Sequence, residues 1–317
     1  MSLTESRTAF EAMTTRADGD PSALAAGLRR QVTPDGLRAL AALWMSVAIA
    51  EPERLAEVYD RSAQGWRGEV VKAPTVTRTP ARPEPVPSAF WTAFWALLDT
   101  PQGTLGAGGV TQRTAELLAY VSPGLRDRVA RSALAYPGCA EAAAQGYPAK
   151  FTMASLAKCP EASLGGEFHS LIVNNGFDLE VLDRDALGLA DLPPPLDYLN
   201  ARILQCHDLW HLAAGYRTTG LHEVAISGFQ LGQFGHQYSA MFLAMVLSRT
   251  SFDRPEAATL LLDTILSAWV HGRESPPLLG VDWQAIWNQP MEAVRAELGL
   301  KPYESPWPAD LFEQLAA

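Results

Sequence analysis

His207-Asp208-Leu209-Trp210-His211 sets two imidazoles one helical turn apart with a carboxylate beside the first, and after eleven intervening residues a second carboxylate follows at Glu223. Four of the six histidines fall between His207 and His236, so they are not scattered along the chain. Nitrogen and oxygen donors in this arrangement can close around a divalent cation, and a cation offsets the cost of burying imidazole beside carboxylate. A pair of histidines on an apolar face can equally be satisfied core residues; the adjoining Asp208 and the distal Glu223 favour metal. The pattern is not the HExxH of zinc proteases, because the shorter Asp208 stands where that motif has its glutamate base. The His-Asp doublet leaves a metal-dependent phosphohydrolase open.

These residues need particular elements to bring them together. Leu196 to Ala214 has helical periodicity, and at 100° per residue His211 lies about 40° from His207, with Asp208 in the same arc. That arc also carries Leu196, Ile203 and Trp210, which makes it the stripe facing the interior. Gly215 is placed to end the helix, Gly220 follows a short link, and Thr218 or Thr219 can cap the next helix. The result is an αα-hairpin that sets Glu223 beside His211. Leu221 to Arg249 reads as one long helix, on which Ser227, Gln230, Phe234, Met241 and Met245 lie within about 40° of the Glu223 direction. Such a face is either a pocket for a polar head group with an apolar tail beneath it, or a plain amphipathic core face. On the pocket reading, Gln230, Phe234 and Met241 are candidate substrate-binding residues, and Tyr216 and Gln230 are candidate outer partners of the ligands. Cys206 and His222 should each point about 100° away from the ligand beside them, His222 toward the surface. His236 falls on a different face, and His169 has no assignable role.

The frame is a globular protein of 317 residues, with 48% hydrophobic and 19% charged residues. Its net charge of −10, without a basic block, argues against nucleic acid as a partner. Cys139, Cys159 and Cys206 form no CxxC pair and read as reduced thiols. The longest apolar run, Ala39 to Ala50, is shorter than the ~20 residues a bilayer requires. No secretory or transit signal is visible at the start, so a cytoplasmic setting is expected. The first ~20 residues are polar and read as frayed. Helices are expected within Pro34 to Gln64. Ala73 to Pro87, with five prolines, reads as a linker or surface crossing. Ser88 to Thr100 carries an aromatic stripe that is either core or a membrane-contact face. Further helices are expected up to the one closed by Gly299, and no phosphate-binding glycine loop occurs. The expected fold is therefore all-α: a multi-helix bundle whose αα-hairpin carries the metal site. Residues 1–87 are read as an N-terminal helical extension with a Pro-rich linker, and residues 88–317 as the main domain.

HDLWH with Glu223, SLGGEFHSLIVNNGFD before it, GFQLGQ after it, HGRE at His271 to Glu274, and Trp287 leading to AVRAELGL together resemble the Coq-four-type ubiquinone (coenzyme Q) biosynthesis proteins. The resemblance is good over Ser155 to Leu300 and weak before it. It implies an all-helical domain that binds polyprenyl compounds, with His207, Asp208, His211 and Glu223 holding a divalent ion, usually Zn2+. It implies metal-dependent decarboxylation at C1 of a 4-hydroxy-3-methoxy-5-polyprenylbenzoate-type intermediate, with or without hydroxylation of the same carbon. Zinc does no redox chemistry, so oxygen insertion would call for Fe, Mn or Co, or for direct reaction of the electron-rich ring. The residues also allow Arg273 to pair with the substrate carboxylate as a fork, against a structural role at a helix end. The implied partners are the polyprenylated aromatic substrate and other ubiquinone-biosynthesis enzymes; a homodimer is a separate expectation, and the sequence does not fix the oligomeric state. The implied location is peripheral, at the inner face of the cytoplasmic membrane, through an apolar patch. A non-catalytic scaffold that presents the prenyl lipid to the pathway is the alternative, as is the phosphohydrolase.

Overall fold

Ser2, Asp20, Thr33, Ser122, Thr152, Ser163 and Asp282 each accept a backbone N–H from the first turn of the helix that follows, so these seven helix starts are written in short polar side chains. Proline at the first helical position reinforces three of these starts, at Pro21, Pro34 and Pro123. The computed structural model describes residues 2–79, 81–101, 107–180 and 182–316. Among the described residues there is no strand, and the architecture is all-α. In chain order the helices are α1 (Leu3–Arg16), α2 (Pro21–Arg30), α3 (Pro34–Ile49), α4 (Leu55–Arg67), α5 (Ser88–Leu98), α6 (Ala107–Leu117), α7 (Pro123–Leu134), α8 (Cys139–Ala143), α9 (Met153–Leu156), α10 (Leu164–Asn175), α11 (Leu196–Ala214), α12 (Gly220–Phe234), α13 (Gln237–Asp253), α14 (Ala258–Glu274), α15 (Trp283–Ile286), α16 (Met291–Leu298) and α17 (Leu311–Ala316). Among the described residues, none of these is long and apolar enough to cross a membrane.

The chain forms two compact units: Met1–Ala135 with Ser227–Glu274, and Tyr136–Ile226 with Ser275–Ala317. These limits differ from the division expected after residue 87. Residues 1–87 do not stand apart as an extension, because α3 packs along α13 and α4 along α14 within the first unit. The start of the chain is not frayed either. Ser2 and Glu5 form a reciprocal capping box on α1, and Phe10 is fully buried against Trp91, Phe94, Trp95 and Phe252. A single apolar anchor and a good cap outweigh the missing stripe. The same contacts place the aromatic side of α5 in the core.

Two further features organise the first unit. The Pro-rich segment has no regular structure over its described residues, yet it is tied down: Arg273 donates to the Pro74 carbonyl at 2.6 Å, and Arg128 donates to the Arg82 carbonyl at 2.8 Å. The helix expected to run unbroken from Leu221 to Arg249 is two helices. Gly235, at φ 62°, turns the chain between α12 and α13. The apolar periodicity continues across the corner and conceals it. Met241 and Met245 therefore do not share one continuous helical face with Glu223, as the sequence periodicity suggested.

The second unit holds α11 and the start of α12. Burial governs α11 along most of its length, and polar side chains anchor it at both ends. Arg202 donates to the carbonyl of Leu279 and to Gln205, and Gln205 donates to the carbonyl of Ala149. At the other end, Arg295 donates to the carbonyls of Leu212 and Ala213, both at 3.0 Å, and Tyr303 N–H donates to that of Ala214 at 2.8 Å. With Gly215 and Tyr216 donating to the His211 carbonyl, all four of the last carbonyls of α11 are satisfied.

Candidate metal centre

The turn that joins α11 to α12 is set by Gly215. Its φ of 80° is left-handed, and a Cβ there would lie 2.9 Å from Pro302 Cβ and 3.1 Å from the Tyr303 nitrogen. Both the conformation and the space require glycine. Beyond the turn, the Thr219 hydroxyl donates to the Ala309 carbonyl, and Gly220 N–H donates to Glu313 Oε1 at 2.8 Å. A carboxylate is thereby held at the positive end of α12, one turn before Glu223.

This hairpin brings His207, Asp208, His211 and Glu223 together. The candidate ligand atoms of His207, Asp208 and His211 lie within 4.8 Å of one another. Glu223 reaches them from α12, with Oε1 3.3 Å from His211 Nε2 and Oε2 3.8 Å from His207 Nε2. The imidazole centroids are 4.9 Å apart.

The hydrogen bonds on the far side of each ring decide what the near side offers. His211 Nδ1 lies 3.1 Å from the Arg217 carbonyl, which can only accept, so this bond assigns the ring proton to Nδ1. His207 Nδ1 lies 3.1 Å from Asp208 Oδ1, which assigns its proton in the same way. Both Nε2 atoms are then bare lone pairs facing a carboxylate. His211 Nε2 is buried and makes no hydrogen bond. A lone pair and a carboxylate oxygen at 3.3 Å attract only if a cation, a proton or a metal ion, lies between them. Two imidazole nitrogens and a carboxylate form a donor set suited to a borderline divalent ion such as zinc, and a carboxylate behind one imidazole is a common support for such a ligand.

Charge follows the same geometry. Burial pushes the Glu223 carboxyl up, but the surrounding imidazoles of His211, His207 and His222 more than offset it, and the net shift is downward. Burial lowers His207, while the bond to Asp208 and the charge of Glu223 raise it further, so the net shift is upward.

Gln230 and Phe234, on α12, and Met241, on α13, are buried in the first unit. Arg273 is also buried there, and its guanidinium is already engaged by Asp60 at 3.3 Å and by the Pro74 carbonyl. Tyr216 is buried and stacked on Tyr303 with centroids 4.4 Å apart. His236 immediately precedes α13 and lies 2.9 Å from the Ser239 hydroxyl through Nδ1. Cys206 is fully buried, and burial pushes its thiol up to about 12. His222, expected at the surface, is buried instead: its Nδ1 accepts the Arg217 N–H at 2.8 Å. Angular position on the helix does not reveal it, because the hairpin loop folds over that side. Arg295 and Glu313, which hold the hairpin from a distance in sequence, likewise have no local signal.

Residues 147–304 match the family model described as coenzyme Q (ubiquinone) biosynthesis protein Coq4. Among curated relatives, the mitochondrial ubiquinone biosynthesis protein COQ4 homolog of Drosophila ananassae is 35% identical over 111 residues, covering 34% of this chain and 40% of that protein. The homolog of Rattus norvegicus is 27% identical over 150 residues, covering 47% of this chain and 55% of that protein. The chain thus spans about half the length of the curated relatives it matches. A crystal structure from Nostoc punctiforme, described as a candidate ubiquinone biosynthesis protein, matches with a TM-score of 0.50 and 22% identity, covering 66% of this chain and 96% of that one. That likeness concerns the fold.

Proposed function

The chain belongs, through residues 147–304, to the Coq4 family of ubiquinone biosynthesis proteins, and on that premise we propose that it is a metal-dependent decarboxylase of a polyprenylated hydroxybenzoate. The observation that carries this reading is the buried Nε2 of His211, stripped of a hydrogen-bond partner and facing Glu223. His207 Nε2, His211 Nε2 and Glu223 are the residues that would hold the ion, with Asp208 orienting His207 from behind. This arrangement of three protein ligands leaves a position for substrate. Zinc, or Fe, Mn or Co in its place, supplies Lewis acidity toward the carboxylate or phenolate of the ring.

The chain's own groups then have defined tasks. Glu223, held ionised, supplies charge and not a proton. The Arg217 carbonyl and Asp208 keep both imidazoles from rotating. In the reaction the bond from C1 to the carboxyl carbon breaks, carbon dioxide leaves, and the electron pair left on C1 is taken up by a proton. An oxidative form, with hydroxyl replacing carboxyl at C1, requires dioxygen as co-reactant. The substrate carries its prenyl tail in a bilayer, so we place the protein peripherally at the inner face of the cytoplasmic membrane, alongside other enzymes of the pathway and with homodimerisation as a further expectation.

The test is to supply the purified, zinc-loaded protein with the carboxylated prenyl precursor in detergent and to follow carbon dioxide release, with the product's C1 substituent identified by mass. Glu223→Gln is expected to abolish release. Full turnover by that variant, or absence of bound metal in the native protein, would sink the reading. One observation favours a second reading. Asp208 lies close enough to both histidines to serve as a fourth protein ligand, and four protein ligands make a closed, structural site. The protein would then be a lipid-holding scaffold, and Glu223→Gln would leave prenyl-lipid binding intact with no turnover in either form.

A further inference from the structure

The backbone of one residue joins two histidines. Arg217 N–H donates to His222 Nδ1 at 2.8 Å, and the Arg217 carbonyl faces His211 Nδ1 at 3.1 Å. His222 is 4% exposed and His211 1% exposed, so neither ring exchanges these bonds freely for water. The His222 ring also packs against two tyrosines. It crosses the rings of Tyr216 and Tyr303 at 74° and 68°, with centroids 5.9 Å and 5.6 Å away, and those two tyrosines are stacked on one another. His222 is therefore a fixed acceptor, and the N–H it fixes belongs to the residue whose carbonyl orients His211.

We propose that His222 is a positioning residue of the metal centre: it anchors the Arg217 backbone so that the carbonyl holds the His211 ring with Nε2 toward Glu223. The inference rests on the metal-centre reading above and gives His222 no contact with the ion. Without the acceptor, the 216–219 link loses one of its fixed points, and the His211 ring loses the partner that selects its tautomer.

Two substitutions separate the acceptor from the packing. His222→Phe keeps a ring against the stacked tyrosines and removes the acceptor; His222→Asn keeps an acceptor oxygen in a smaller side chain. We expect His222→Phe to bind zinc about tenfold more weakly in chelator competition, the loss typical of an outer-shell orienting partner. Its cobalt(II) absorption spectrum should change while the melting temperature of the metal-free protein stays near that of the native protein. His222→Asn should recover most of the affinity and the native spectrum. Native zinc affinity and spectrum in His222→Phe, or equal loss in both variants, would overturn the proposal and leave the metal centre standing. Native protein that takes up no zinc would instead overturn the metal centre, and this inference with it. Should either variant fail to fold, nitrogen-15 shifts of histidine-labelled native protein still decide: Nε2–H is expected at His222 and Nδ1–H at His211, and the opposite tautomer at either residue refutes the relay.

Discussion

Two half-buried carboxylate clusters, one in each unit, are built to opposite ends. In the first unit, Asp60 accepts from the Trp269 indole at 2.9 Å and is paired with Arg273, a cation that never loses its charge. Arg273 in turn donates to the Pro74 carbonyl, so the cluster closes on itself. In the second unit, Glu223 faces two imidazoles whose near nitrogens are bare, and one of them makes no hydrogen bond. The first cluster supplies its own cation. The second has the anion and the lone pairs but must obtain its cation from elsewhere, as a proton or a metal ion. That difference, more than burial or residue type, separates a structural ion pair from a site that can bind something.

His211 is the residue on which the second cluster depends most. His211→Ala removes the buried lone pair and should reduce bound zinc, measured by elemental analysis, to background; retention of the metal would show that the open cluster is not what it is taken to be. The opposite pattern is expected in the first unit. Arg273→Met leaves Asp60 without its cation and should destabilise the protein by about 3 kcal/mol in denaturant unfolding, with zinc content unchanged. If zinc were lost as well, Arg273 would have a part in the site. Gly232→Ala probes the same unit away from its charges. A Cβ there would meet the Trp269 carbonyl at 2.7 Å, and the overpacking should cost about 2 kcal/mol, again without effect on metal.

Acidity discriminates more finely. A ligand must lose its proton to bind metal, and His207 holds its proton more tightly than a free imidazole does. Zinc affinity should therefore begin to fall above pH 6.5 on acidification, on the order of tenfold per unit once His207 is protonated. Without metal the signs are different. The stabilisation from protonated His207 is complete below its unfolded value of 6.5 and is lost as pH rises through its raised pKa; that from Glu223 is present above 4.5 and is lost as pH falls through its lowered pKa. Metal-free protein should thus melt highest between these values, whereas zinc-loaded protein should gain stability toward neutral pH, and melting curves against pH would test both. The smallest effect is expected at Arg217. Only its backbone serves the site, so Arg217→Ala should change stability by less than about 0.5 kcal/mol and leave zinc affinity as it was.

What was legible in the sequence is what periodicity and turn chemistry govern. The extent of α11, the glycine at its end and the approach of Glu223 to His211 follow from a repeat of 3.6 residues and a left-handed stop at Gly215. Gly235 was harder to read, because apolar residues continue on both sides of it and only its conformation marks the corner. The burial of His222 and the engagement of Arg273 were not readable. One depends on a loop N–H, and the other on Asp60, 213 residues away. Partners at that separation are chosen by the tertiary fold, and no local pattern announces them.

The carbonyls that end α11 wait for Arg295, which lies 82 and 83 residues further along the chain. The ribosome releases His207, His211 and Glu223 long before it releases the arm that clamps their hairpin. A nascent chain therefore carries the donors ahead of the brace that steadies them. On the metal-centre reading, uptake of an ion would accordingly follow the docking of Arg295 and not the moment the histidines emerge.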